Sequence, residues 1–192
     1  MPAKTASDID ISIIVVNYNV KERVETLVQS VKESANYGGL TVEIFVVDNH
    51  SSDGSVEYLM PLFPDVHFIA NTENYGFGKA NNQAIKRAKG TYCLLVNPDA
   101  VLEKETLPVM YRFMEEHPQT GAAGCKLLNP DGSFAPESRR SVPTPATAFW
   151  KMTGLSSLFP RSKFFGSYHM GWLPENEAAE VPVLSGSFMF YR

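Results

Sequence analysis

Four short apolar runs, rich in β-branched residues, alternate with amphipathic segments over the first hundred residues: 11–16 (ISIIVV), 42–47 (VEIFVV), 66–70 (VHFIA) and 91–96 (TYCLLV). The run 11–16 is continuous and β-branched, which suits a strand buried on both faces, the situation of strands in a parallel sheet. After the first run, Val20, Val24, Leu27, Val28 and Val31 recur at helical spacing, and Gly38-Gly39 stops the helix. Asn19, with Glu22 three residues on, reads as its N-cap. Residues 55–63 form a short helix ended by Pro64, and Phe77, Ala80, Ala84, Ile85 and Ala88 mark a third helix closed by Gly90. The βαβαβαβ order predicts an α/β fold, with a mainly parallel central sheet flanked by helices.

The second half is less regular. Leu107, Met110, Phe113 and Met114 predict a helix ending near His117-Pro118. Residues 121–128 read as a strand, Asn129-Pro130-Asp131-Gly132 as a turn, and 181–191 (VPVLSGSFMFY) as a last strand. Residues 135–180 are rich in proline and aromatics and show little periodicity. The expectation is one domain over 1–192, regular over about 10–100 and irregular over 101–192. The last apolar run ends one residue before Arg192, so the chain is expected to be a fragment of a longer protein.

The 192 residues suffice for a substantial core, and 17 Lys plus Arg against 21 Asp plus Glu leave a net charge of −4. That balance gives no footprint for nucleic acid as the main partner. No apolar run reaches the roughly 18 residues of a membrane span. Two cysteines exclude a disulfide scaffold and predict a reduced, cytoplasmic setting, with Cys93 a buried structural thiol. Residues 1–12 (MPAKTASDIDIS) lack the apolar stretch of a secretory leader. His50, His67, His117 and His169 have no metal-ligand spacing and read as structural or surface residues.

Each predicted parallel strand is followed by a polar side chain: Asn17, Asp48, Asn71 and Asn97. Parallel strands deliver their carboxyl ends to one edge, where ligands bind in α/β sheets. Asn and Asp also cap helices and shape turns, which is the reading adopted for Asn71. Asp48 is read as functional, because Ser51, Ser52, Asp53 and Gly54 can supply the turn and cap without it. The segment 74–82 (NYGFGKANN) fits a loop that cradles a phosphate and a plain glycine-rich turn equally well. It is not a dinucleotide fingerprint, and no P-loop is present, which argues against a Rossmann oxidoreductase or a P-loop ATPase. Lys79 reads as an exposed helix lysine. Asn97-Pro98-Asp99 places a carboxylate at the rim, as a hard divalent ion needs, and fits a simple turn equally well.

Taken in order, VVNYN (15–19), VVDNHSSDGS (46–55), NTENYGFGKANNQAIKRAKGTYCLLVNPDA (71–100) and VLSGSFMFYR (183–192) resemble the inverting family-two glycosyltransferases of GT-A fold. The subgroup it looks most like includes the rhamnosyltransferases of cell-surface polysaccharide synthesis. The resemblance implies a sugar transferred, with inversion, from a pyrimidine nucleoside-diphosphate donor (UDP- or dTDP-sugar) to a glycan or lipid-linked acceptor. It places Asn17 and Tyr18 against the nucleotide, Asp48 on the pyrimidine imide, and Gly76 and Asn82 in the pocket wall. Asn97 and Asp99 match the metal-binding Asp-x-Asp of the family. With an amide in the first position, Asp99 is the implied ligand of Mn²⁺ or Mg²⁺, and Asn97 binds ribose or acts through water. Ser185 and Gly186 match a turn near the donor sugar and acceptor. The catalytic base of the family lies in an acidic motif beyond the strand matching 181–191, and none of Glu175, Glu177 and Glu180 matches it. No base is therefore assigned, and this chain is expected to bind a nucleotide-sugar while transferring it poorly or not at all. The alternative is a non-catalytic nucleotide-binding or interaction module. A nucleotidyltransferase would need a glycine-rich basic loop where this chain has NYNVKER.

Residues 139–172 interleave Arg139, Arg140, Lys151, Arg161 and Lys163 with Phe149, Trp150, Phe159, Phe164, Phe165, Tyr168 and Trp172. Such a pattern suits peripheral contact with the inner face of a membrane, or aromatics filling a core beneath solvated charges.

Overall fold

A computed structural model describes residues 9–192; the leader reading of residues 1–8 lies outside them. In chain order the elements are β1 (Ile11–Asn17), α1 (Lys21–Gly38), β2 (Val42–Asp48), α2 (Ser55–Leu62), β3 (His67–Ala70), α3 (Gly76–Ile85), β4 (Tyr92–Val96), α4 (Thr106–Glu116) and β5 (Ala122–Ala123). They continue with β6 (Arg139–Arg140), α5 (Pro145–Met152), α6 (Leu155–Leu158), β7 (Val183–Leu184) and β8 (Phe188–Tyr191). The contacts divide the chain into two compact units, one of residues up to Ala123 with Gly186–Arg192, the other Gly124–Ser185.

The first unit holds a six-stranded sheet in the order β3-β2-β1-β4-β8-β5. Strands β1 to β4 run parallel, and β8 returns antiparallel between β4 and β5. This is the mainly parallel α/β sheet expected from the apolar runs. β1 lies inside it and is buried on both faces, which is why its sequence shows no alternation. On one face α3 lays Ala80 and Ala84 against Ile14, Phe45, Val47 and Leu95. Helix α1 buries Val24, Leu27, Val28, Val31 and Ala35, and ends at Gly39, whose left-handed backbone (φ 61°) sends its N–H to Ala35 and Asn36.

Buried serines add a second layer of order. Ser34 Oγ donates to the Lys104 carbonyl and accepts from Leu107 N–H, and Ser30 Oγ accepts from Leu102 N–H. They fasten the segment leading into α4 onto α1. At the sheet's other end, Gly90 N–H donates to Ser12 Oγ, which donates to Glu43. A Cβ on Gly90 would lie 2.5 Å from Ser12 N, so the chain enters β4 where only glycine fits.

Three local expectations change. Asn19 does not cap α1. It has left-handed backbone (φ 58°), and its side chain accepts from Ser52 N–H instead. Asp53, from the loop after β2, accepts from Lys21 N–H and so supplies the helix start from outside. Partial burial would raise the Asp53 carboxyl, but hydrogen bonds from Ser55 and Lys21 prevail and hold it below the ordinary value. The expected strand 121–128 shrinks to Ala122–Ala123, because these two residues meet Tyr191 and Phe190 and the chain then leaves the sheet. The expected strand 181–191 splits into β7 and β8 around Ser185-Gly186-Ser187.

In the second unit, β6 and β7 form a two-stranded sheet, and Gly132 (φ 80°) closes the predicted turn on Asn129. Arg139 is buried. Its Nη1 donates to the carbonyls of Leu173 and Pro174, and the guanidinium lies 4.8 Å from the Phe134 ring. This arginine is structural and does not belong to the basic surface.

Candidate functional site

The register brings the strand tips to one edge. Asn17 lies opposite Asp48, and Asp48 lies opposite Ala70, the residue before Asn71. The ladder runs on past the strands, Asn49 N–H donating to the Asn17 carbonyl and Asn71 N–H to that of Asp48. Asn17 is fully buried and its Nδ2 donates to Asp48 Oδ1 at 2.6 Å and to Ser51 Oγ at 3.1 Å. Asp48 is 4% exposed, and its Oδ2 accepts from Ser51 N–H at 2.9 Å. The turn after β2 therefore does use Asp48, contrary to the expectation that Ser51–Gly54 form it alone. A carboxylate has about four lone-pair positions, so these two bonds leave acceptor capacity. Asn17 Oδ1 is buried without a hydrogen-bond partner.

β1 lies between β2 and β4, so the Asn97-Pro98-Asp99 turn emerges on the other side of Asn17 from Asp48. Two strand spacings of about 4.8 Å separate the β2 and β4 tips by roughly 10 Å. Asn97 N–H donates to the Ser187 carbonyl, which anchors the turn to the loop entering β8. Asp99 is exposed and faces a hollow of about 450 Å³ lined by Pro98–Val101 and by Glu22, Arg23 and Thr26 of α1. The Arg23 guanidinium lies 4.0 Å from the Asp99 carboxylate. Neither Asn17 nor Asp48 is in the wall of this hollow.

The donor set at Asp99 decides what cation it suits. Among the described residues no cluster of three or more His, Cys, Asp or Glu side chains could hold a metal. A hard divalent ion takes one or two carboxylates when waters and substrate phosphates complete its shell. Asp99 fits an ion that arrives with a diphosphate, not a cage formed by the protein alone.

The remaining candidates scatter. Tyr18 stands exposed at the rim beside Asn17. Gly76 opens α3 with φ 75°, its N–H held by Asn74 Oδ1. Asn82 is exposed and lies on the helix face opposite Ala80 and Ala84, so the packing does not bring it to the sheet edge. Its neighbour Asn81 is the buried one, its Nδ2 donating to the Phe77 carbonyl. Ser185 is buried in the second unit and Gly186 is exposed in the first, where the chain passes between them. Three residues escaped the sequence reading. Asn49, 2% exposed, donates to Asn74 and accepts from Tyr75 N–H and Asn71 Nδ2, so it holds the loop before α3. Asn74 follows from the same network. Arg23 reaches the hollow only because β4 lies beside β1, which no local spacing reveals.

The sequence pattern of Glycosyl transferase family 2 matches residues 12–186. Among curated proteins, the low-salt glycan biosynthesis hexosyltransferase of Haloferax volcanii is 28% identical over 95% of this chain and 58% of its own length. The N-acetylglucosaminyl-diphospho-decaprenol L-rhamnosyltransferase of Mycobacterium tuberculosis is 25% identical over 79% of this chain and 52% of its own. This chain thus spans about half the length of the curated relatives it matches. Among solved structures, Staphylococcus aureus TarS 1-349 in complex with UDP is 25% identical with a TM-score of 0.56, over 72% of this chain and 39% of that one. A Pyrobaculum calidifontis mannosyltransferase, solved with GDP-Man and Mn²⁺, is 25% identical with a TM-score of 0.55, over 66% and 37%. With a match across nearly the whole chain, and the parallel strand tips expected of the GT-A fold, the chain belongs to glycosyl transferase family 2.

Proposed function

We propose that this chain binds the donor of a glycosyltransferase that moves a sugar from a pyrimidine nucleoside-diphosphate sugar to a glycan or lipid-linked acceptor, with inversion. One observation carries the reading: buried Asn17 holds the Asp48 carboxylate on one side, and strand order brings Asn97 and Asp99 out at the same edge on the other. The span of about two strand spacings suits a nucleoside diphosphate laid across the strand tips.

In this reading Asp48 accepts from the imide N–H that uracil and thymine share, and Asn17 holds the carboxylate in place. Tyr18 lies against the base, Gly76 borders the pocket, and Asn97 contacts the ribose. Gly186, in the first unit, lies toward the donor sugar and acceptor. Asp99 would hold Mn²⁺ or Mg²⁺, which when bound neutralises charge on the leaving diphosphate. The acceptor hydroxyl attacks the anomeric carbon from the face opposite the diphosphate, through an oxocarbenium-like transition state. Its proton needs a carboxylate base, which is not assigned among these residues. UDP in a structural neighbour supports the pyrimidine donor, and the decaprenol-linked substrate named for a relative supports a lipid-linked acceptor.

Calorimetry with UDP, dTDP and GDP, each with and without Mn²⁺, tests this. Binding of UDP or dTDP that strengthens with Mn²⁺, and loses that strengthening in Asp99→Ala, is the expected result. Preference for GDP would overturn the role of Asp48. Failure of all three nucleotides to bind would favour the interaction module.

A further inference from the structure

The second unit exposes apolar surface that its own fold leaves uncovered. Helix α5 is well formed: Thr144 accepts from Thr147 N–H, the Thr147 hydroxyl accepts from Thr144 N–H, and Pro145 occupies the first turn. Yet no residue of α5 or α6 is buried. Phe149 and Met152, three apart on one helix face, are 55% and 87% exposed, and Leu158 is 69% exposed. The aromatics form a continuous patch. Trp150 contacts Phe149, Phe164 and Phe165 with ring centroids 5.1 Å apart, and Phe159 meets Phe165 at 5.6 Å.

Charge identifies what such a patch would meet. Between Glu137 and Glu175 the sequence has five Lys or Arg and no Asp or Glu, in a chain whose net charge is −4. With Arg139 engaged inside the unit, Lys151, Arg161 and Lys163 stand exposed next to the aromatic residues in sequence. Exposed Phe, Leu and Met around the half-buried Trp150, with flanking Lys and Arg, is the chemistry of a surface that enters the headgroup layer of an anionic bilayer. An apolar protein partner would not require acid to be absent from a 37-residue stretch.

We propose that α5, α6 and the loop through Phe164 form a docking surface for an anionic phospholipid bilayer. Met152, Leu158 and the exposed phenylalanines enter the acyl boundary, and Lys151, Arg161 and Lys163 pair with lipid phosphates. The inference rests on the second unit alone and stands apart from the donor reading.

Vesicle co-sedimentation with fluorescence tests it, since both tryptophans, Trp150 and Trp172, lie in this unit. The probes are phosphatidylcholine vesicles with and without roughly one-third phosphatidylglycerol, at about 0.05 M and 0.5 M salt. Binding to the anionic vesicles at low salt, with a blue shift of tryptophan emission, is expected. The triple variant Lys151→Gln, Arg161→Gln, Lys163→Gln should bind about a hundredfold more weakly, at roughly fivefold per basic residue. Met152→Ser with Leu158→Ser should weaken binding at least tenfold and leave its salt dependence intact. These side chains are exposed, so far-UV circular dichroism should not change. No binding to anionic vesicles, equal binding to neutral ones, or a patch occupied by a second copy of the chain in size-exclusion chromatography would each overturn the proposal.

Discussion

Replacing Asp48 separates its structural work from its proposed work on the nucleotide. In Asp48→Ala two donors lose their acceptor. Asn17 Nδ2 gives up a 2.6 Å bond to a carboxylate but still reaches Ser51 Oγ at 3.1 Å. Ser51 N–H gives up a 2.9 Å bond but is half-buried and can find water. A bond to a charged group contributes about 1.5–3 kcal/mol and the partly solvated one about 1, so the alanine variant should lose about 2.5–4 kcal/mol. Asp48→Asn differs. Its amide oxygen can keep Ser51 N–H, and its NH₂ can donate to a rotated Asn17, whose Oδ1 has no partner in the native arrangement. That variant should lose about 1 kcal/mol or less. Both should lose UDP affinity, Asp48→Asn by about tenfold to a hundredfold, because the amide group left facing the base would no longer offer a carboxylate acceptor. Urea unfolding should be followed by far-UV circular dichroism, because the tryptophans report only on the other unit. An alanine variant as stable as the native chain would refute the structural account. An asparagine variant with native UDP affinity would refute the contact with the base.

Gly90→Ala should lose about 1–3 kcal/mol in the same urea assay, because its Cβ would meet backbone where nothing flexible can yield; an unchanged midpoint would show that β4 enters the sheet elsewhere. Alkaline pH should destabilise the fold. Burial raises the Cys125 thiol to about 11, and burial with the Glu115 bond raises Tyr92 to about 12. Both groups stay protonated in the folded chain after the unfolded chain has ionised. Their stabilisation is complete below about pH 9, begins to fall for Cys125 there and for Tyr92 near pH 10, and is lost as pH passes the folded values. Urea midpoints that stay level from pH 8 to pH 11.5 would contradict this burial.

The sequence resolved the parallel core because its signal is local. A strand inside the sheet needs a mostly apolar run, and 11–16, 42–47 and 91–96 each supply one, with Ser12 and Glu43 as the polar interruptions. The same rule predicts that Asn17, Asp48 and Asn97 share an edge, since parallel strands all point the same way. Where the signal is not local, the sequence misled. Asn19 looked like a cap, but Asp53 from the next loop supplies the helix start, and Asn19 ties two loops instead. Asn82 and Asn81 are neighbours in one motif, and only the way α3 packs decides which of them is buried.

Alternation of apolar runs and helices thus determined the fold class and the identity of the strand-tip residues, because both follow from periodicity and chain direction. The tertiary structure alone decided that β1 sits between β2 and β4, that Asn17 grips Asp48 while Arg23 faces Asp99, and that Phe149, Phe159 and Phe164 stand exposed rather than within a core. Strand order and helix rotation are set by which apolar surfaces cover one another across the whole chain. No window of sequence carries that information.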